Sequence, residues 1–352
     1  LSSLFGANLD VFTLGGFAIK LNFIIYLLGA FICGFCVCML NTVVNPMLNL
    51  LGGGGNKGNQ LIQTGGALNS LSGTLTPLFV GALIGTVTAQ TAMTDVAPLL
   101  FIAMGVFASA FIIISFIAIP EPHLRKGNVE KEKFAHSPWH FRHTLLGVVG
   151  IFIYVGIEIG IPGTLNFYLA DSSEKGAGLL VDGAAIGGAI SAIYWLLMLV
   201  GRSASSAISG KISSRTQLIV VSATAICFVL IAIITPKEVT LSMPGYSVDK
   251  GFQMAQVPVS ALFLVLCGLC TSVMWGGIFN LAVEGLGKYT AQASGIFMMM
   301  VVGGGVLPLV QQFISDAVGY MASYWLIIVL LAYLLFYGLV GCKNVNKDIP
   351  VE

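Results

Sequence analysis

Apolar residues run for membrane-crossing lengths nine times along the chain, near 21–47, 61–86, 97–119, 143–169, 179–200, 217–235, 258–283, 290–314 and 322–341. About 20 residues of helix span a bilayer, so each run is read as one complete span. The Gly and Pro inside the runs do not argue against helices, because membrane helices tolerate both. The pattern predicts an all-α, polytopic membrane protein. One long charged stretch breaks it, Pro120 to His143, which holds Arg125, Lys126, Lys131, Lys133, Arg142 and all four histidines. The expected organisation is therefore a first part over 1–119, a central loop over 120–142 and a second part over 143–352.

Polar residues inside the spans are the informative exceptions. Asn41, Asn45 and Asn69 are carboxamides at depth, and such groups by default face a bundle interior or a wet path. Asn41 and Asn45 are four apart, hence on one helix face. Gly65, Asn69, Gly73, Pro77, Gly81 and Gly85 recur every four residues and form a ridge of low bulk against which another helix can pack closely. Asn69 is the one large polar member of that ridge. Glu158 sits mid-span, where an ionised carboxylate costs ~2.5–3.5 kcal/mol on insertion scales. It must be protonated, paired or wet, and it is read as a proton carrier or an acceptor for ligand hydroxyls. Tyr194, Trp195 and Trp275 offer flat apolar faces with polar tips. Gln311 joins the candidates, with Gln63, Asn166, Asn280 and Gln312 behind it. A cavity lined by amides, one carboxyl and aromatics suits a polyhydroxylated ligand, which needs both donors and acceptors.

Composition agrees with the spans, since 57% hydrophobic and 9% charged residues leave too few charges to cover a water-facing surface. A net charge of +1 leaves no basic stripe for nucleic acid. Basic residues in short loops stay cytoplasmic. With the central loop inside, Lys20, Lys175, Lys237 and Lys250 fall outside and the other twelve of the 16 Lys and Arg inside, placing the carboxyl end in the cytoplasm. Seven cysteines lie mostly in apolar runs, so neither disulfides nor a metal site is expected. The histidines are read as part of a solvated loop. The glycine run Gly52 to Gly58 lacks the Gly-Lys-Ser/Thr ending of a phosphate loop and is read as a cytoplasmic turn. Arg202 is placed at the cytoplasmic end of its span, where with Lys211 and Arg215 it could act as a conformational latch.

An internal repeat adds direction. Cys33-Gly34-Phe35-Cys36 returns as Cys267-Gly268-Leu269-Cys270, 234 residues later, and Gly73 to Leu78 returns as Gly304 to Leu309, 231 residues later. Both matches fall in consecutive spans of the same order and direction. Parallel repeats about an axis normal to the membrane mark a secondary transporter of two halves. The same offset puts the partner of the span near Phe141 roughly 90 residues before Leu1. Three further helices are thus expected before Leu1, with residues 1–20 as the outer end of helix three and an outer loop.

Several stretches together carry a family resemblance: Thr42-Val43-Val44-Asn45-Pro46, Leu68-Asn69-Ser70-Leu71 through Thr76-Pro77-Leu78-Phe79, and Tyr154-Val155-Gly156-Ile157-Glu158. Tyr194-Trp195 with Gly201-Arg202, and Gly303-Gly304-Gly305 through Pro308 to Ser315-Asp316, complete the set. From about Leu27 to Gly319 the chain resembles the fucose and glucose/galactose–proton symporters of the major facilitator superfamily. The resemblance implies a major facilitator fold with nine complete helices, four to twelve, and proton-coupled import of a monosaccharide through a cavity that opens to alternate sides. It also implies a bacterial inner membrane location, and the proton serves as coupling ion with no other cofactor. Asn41 stands where the fucose transporter has a glutamate. Glu158 matches the glucose/galactose type, where the fucose transporter resembles it with a glutamine. That tilts the expected sugar towards a hexose.

The expected function is secondary transport of a neutral monosaccharide, such as glucose, galactose or fucose, by a monomer in the lipid bilayer. The substrate-binding set is Asn41, Asn45, Asn69, Glu158, Tyr194, Trp195, Trp275 and Gln311, with Glu158 also carrying the proton and Arg202 the latch. The alternatives are a passive or sodium-coupled sugar porter and a non-transporting sugar sensor of the same fold. An enzyme would need an activated nucleophile or a metal constellation, and the histidines are all read in one loop, away from Glu158.

Overall fold

The computed structural model describes residues 9–14, 17–53, 55–84, 93–117, 136–179, 182–208, 211–247, 251–346 and 349–350. They form helices α1 (Leu21–Leu51), α2 (Gly55–Ile84), α3 (Met93–Phe116), α4 (Arg142–Ala170), α5 (Gly183–Ile208) and α6 (Ser214–Ile234). After a hairpin come α7 (Val259–Thr271), α8 (Met274–Val283), α9 (Thr290–Met299), α10 (Gly303–Val318) and α11 (Tyr320–Phe336). Eight helical stretches among the described residues are long and apolar enough to cross a membrane. The ninth expected span, α2, has the length, with 30 residues, but its Gly, Asn, Gln, Ser and Thr dilute its apolar character.

The structure departs from the sequence reading in several places. Within the stretch expected as an outer loop, β1 (Asp10–Leu14) pairs antiparallel with β2 (Phe17–Lys20). The expected end of helix three falls on residues 1–8, outside the described residues. A second hairpin, β3 (Thr240–Ser247) with β4 (Gly251–Pro258), fills the connection before α7. Its buried edge rests on the start of α5, where Gly245 packs near Ile186 and the Ser247 hydroxyl donates to Asp182 Oδ2 at 2.6 Å. Most of the expected central loop, residues 118–135, lies outside the described residues. His143 is not in a solvated loop. It is fully buried in the first turn of α4, with Nε2 3.0 Å from the Glu284 carbonyl.

Two compact units make up the chain, one of residues 1–39 and 76–135, the other of residues 40–75 and 136–352. The first holds the β1–β2 hairpin, the start of α1, the end of α2 and α3. Its described helices expose large apolar side chains such as Phe31 and Phe35 of α1 and Phe101, Phe107 and Phe111 of α3. Such surfaces suit lipid tails, which carry no penalty for apolar exposure.

The second unit is built around α4. Ile151, Tyr154, Ile157, Ile161 and Leu165 recur every three or four residues and are fully buried. Helices α5, α7, α8, α10 and α11 pack on α4. Contact with α10 is close because glycine removes bulk at the crossing. A Cβ on Gly303 would stand 2.0 Å from the Phe152 carbonyl oxygen, and one on Gly156 would stand 2.3 Å from Leu307. Pro162 lacks the N–H that would bond the Glu158 carbonyl, and around this turn neighbouring helices add donors to two further carbonyls. Tyr324 donates to the Ile161 carbonyl at 2.8 Å and Ser191 to that of Pro162 at 3.2 Å.

The span expected over 258–283 is in fact two helices, α7 and α8, parted at Ser272-Val273. Thr271 and Ser272 bond back to carbonyls of the preceding turn, at 3.1 Å to Cys267 and 2.6 Å to Leu269, which competes with the regular ladder. A one-turn 3-10 segment, Met300–Val302, likewise parts α9 from α10.

Candidate functional site

A cavity of about 300 Å³ lies wholly within the second unit. From α1 it takes Asn41, Val44, Asn45 and Leu48, and from α2 it takes Ile62, Gln63, Gly65, Gly66 and Asn69. Val155 and Glu158 of α4, Arg202 of α5, Trp275 of α8 and Val301 complete the lining. Four-residue spacing brings Asn41 and Asn45 to the same wall, as the helix period requires. One amide N–H of Asn45 is spent on the Asn41 carbonyl of its own helix, at 3.1 Å, and the rest of the group is left for other partners. Asn69 is exposed towards the cavity, with glycines 65 and 66 one turn before it. The Trp275 indole lies tilted against the Tyr154 ring, with centroids 6.0 Å apart.

Arg202 is the centre of the polar network. Sequence placed it at the end of a span, but α5 continues to Ile208, beyond the apolar run that ends near residue 200. Its guanidinium is therefore inside the bundle, 6% exposed, rather than in a cytoplasmic loop beside Lys211. It pairs with Glu158 at 3.0 Å, the one ion pair among the described residues. It also donates to Tyr154 Oη at 3.3 Å, to Ser70 Oγ at 2.8 Å, and to the carbonyls of Gly66 at 2.9 Å and Ser272 at 3.2 Å. One side chain thus ties α2, α4, α5 and the break between α7 and α8.

The same face of α2 makes further bonds. Gln63 donates to the Val273 carbonyl at 3.0 Å, beside the one held by Arg202, so both carbonyls at the helix break have side-chain donors. The hydroxyls of Thr64 and Ser206 meet at 2.7 Å. Gly276 lets α8 approach, since a Cβ there would stand 2.7 Å from Asn59 and 2.8 Å from Gln63.

Of the substrate-binding set and latch read from the sequence, Asn41, Asn45, Asn69, Glu158, Arg202 and Trp275 meet at the cavity, joined by Gln63 of the weaker candidates. Three do not. Tyr194 is fully buried, its hydroxyl 2.8 Å from that of Thr271, and Trp195 stacks edge-on against it. Gln311 is buried against Gly160 and donates to Ser323 at 3.5 Å. Tyr194 and Gln311 each bond to another helix of the bundle. Sequence reasoning passed over Tyr154, Ser70 and Ser272. Tyr154 could have been found, because it lies four residues before Glu158 and shares its face. Ser272 carries no local signal, since its carbonyl matters only through the break it sits in.

Comparison with known proteins was decisive for the family: the model of the Major Facilitator Superfamily matches residues 4–301. The chain belongs to that superfamily. Within it, the chain is 31% identical over 322 residues to the glucose/galactose transporter of Brucella abortus biovar 1 (strain 9-941), covering 90% of this chain and 72% of the relative. A 61-residue stretch is 36% identical to the L-fucose-proton symporter of Escherichia coli (strain K12), covering 17% of this chain and 14% of that one. The crystal structure of FucP, a transporter of the same superfamily in the outward conformation, superposes with a TM-score of 0.66 at 18% identity, covering 87% of this chain and 73% of that chain. The chain is therefore a multi-pass membrane protein of the major facilitator fold, and its relatives are transporters rather than enzymes.

Proposed function

We propose that the protein imports a neutral monosaccharide across the bacterial inner membrane by proton symport, working by alternating access as a monomer. The observation that carries this reading is the cavity itself, where four carboxamides, one carboxylate and one indole converge. Sugar hydroxyls need donors and acceptors together, and the apolar face of a hexose ring needs a flat partner. The names of the relatives, glucose/galactose transporter and L-fucose-proton symporter, support a hexose such as glucose or galactose, or fucose. Asn41, Asn45, Asn69 and Trp275 bind the sugar in this reading, and Glu158 both accepts a hydroxyl and carries the proton. Arg202 is the conformational latch, acting through its bonds to α2 rather than through a cytoplasmic loop. The carboxyl end lies in the cytoplasm, supported by the twelve-to-four distribution of basic residues.

The test is uptake of a labelled hexose panel by the full-length protein in proteoliposomes, with and without a protonophore. Uphill accumulation that the protonophore abolishes is the expected result. Uptake indifferent to the pH gradient would favour a passive or sodium-coupled porter, and binding without counterflow would favour a sensor. Glu158→Gln keeps the shape of the side chain but cannot titrate. It should exchange labelled for unlabelled sugar yet lose accumulation driven by a pH gradient. Undiminished accumulation would remove Glu158 as the proton carrier.

A further inference from the structure

Arg202 has five N–H donors, and all five are engaged. Nε donates to the Ser272 carbonyl, Nη1 to the Gly66 carbonyl and the Ser70 hydroxyl, and Nη2 to the Tyr154 hydroxyl and Glu158. Four of these partners are neutral. Glu158 alone offsets the charge, and among the fourteen residues that line the cavity only Glu158 and Arg202 are charged. A ligand in the cavity therefore meets a wall of zero net charge, whose cation has no free donor to offer it. Removing the carboxylate would leave a buried guanidinium without compensation, an arrangement costly enough that an incoming anion is strongly favoured.

We propose that Glu158 sets the charge specificity of the site: by neutralising Arg202 it restricts the cavity to uncharged sugars, and without it the same cavity accepts sugar acids. This rests on the reading of the cavity as a sugar site. The role belongs to the ionised form of Glu158, before it takes up a proton in the proposed transport cycle; it depends on the pairing with Arg202 and shows at equilibrium, with no gradient present. A hexuronate has the outline of the hexose with a carboxylate in place of the terminal hydroxymethyl group. Size alone therefore discriminates poorly between the two, and charge must do so.

The experiment measures displacement of labelled D-galactose, D-glucose or L-fucose from the purified full-length protein by the same neutral sugar and by D-galacturonate. The unsubstituted protein should prefer the neutral sugar to galacturonate by about a hundredfold or more. In Glu158→Gln that preference should fall at least about tenfold. Asn69 lines the same cavity next to Ser70, which holds Arg202. The double variant Glu158→Gln/Asn69→Asp returns a carboxylate to this wall and should restore the exclusion of galacturonate. A folded Glu158→Gln that binds the neutral sugar with the original preference overturns the proposal. So does an unsubstituted protein that binds galacturonate as well as galactose, a result that needs no variant to fold. If the unsubstituted protein binds none of the three neutral sugars, the sugar reading falls and takes this proposal with it.

Discussion

Asn69 shows how a single residue separates stability from function at this site. It stands exposed to the cavity one turn after Gly65 and Gly66, so shortening it leaves no buried partner unpaired. Asn69→Ala should keep the melting temperature of the full-length protein and weaken sugar binding by about 0.5–1.5 kcal/mol, or roughly two- to tenfold in Kd, the worth of one hydrogen bond. Wild-type affinity in the purified variant would exclude it from the site. Glu158 behaves differently, because it supports the bundle through Arg202 as well as facing the cavity. Mid-span carboxyl and amides stood out in the sequence because polar groups at depth are costly. The pairing did not, since nothing local says that a residue 44 positions along the chain will supply the guanidinium.

At the scale of elements, the glycine run that opens α10 has a graded role. Gly303 faces the backbone of α4, where an added Cβ would meet the Phe152 carbonyl oxygen at 2.0 Å, whereas the Cβ direction of Gly305 is open. Gly303→Ala must push two helix backbones apart and should cost about 1–3 kcal/mol of stability. Gly305→Ala, two residues away, should be neutral or slightly stabilising because alanine is the better helix former. Thermal unfolding of the two purified variants checks this. Equal melting temperatures would mean that α4 and α10 do not cross at Gly303. Pattern alone showed three adjacent glycines and could not rank them. The break between α7 and α8 was equally hidden, because Cys267 to Asn280 reads as one continuous apolar run until the donors of Gln63 and Arg202 are seen at its carbonyls.

For the whole molecule, the testable consequence is orientation. Lys211 follows α5 and Lys237 follows α6, so one span separates two exposed residues. In a background without the seven native cysteines, Lys237→Cys should react with an impermeant thiol reagent added outside intact cells. Lys211→Cys should react only after the cells are opened. The reverse pattern would invert every span, and with it the side of the membrane assigned to each loop.

The sequence by itself determined the class of this protein, its spans and the polar residues worth suspecting. Those are local or additive properties: length of apolar run, cost of a buried amide or carboxyl, and the sign of loop charges. It also carried the resemblance that the match to the Major Facilitator Superfamily bears out. Only the tertiary structure decided which candidates share a cavity. Asn41, Asn69, Glu158 and Trp275 do, while Tyr194 and Gln311 bond to other helices and Trp195 stands outside the lining. It moved Arg202 from a helix end to the centre of a network, because α5 runs on to Ile208, past the end of the apolar run that a hydropathy criterion sees. Side-chain direction and long-range pairing are set by how helices pack, and packing is a property of the assembled bundle that no window along the chain contains.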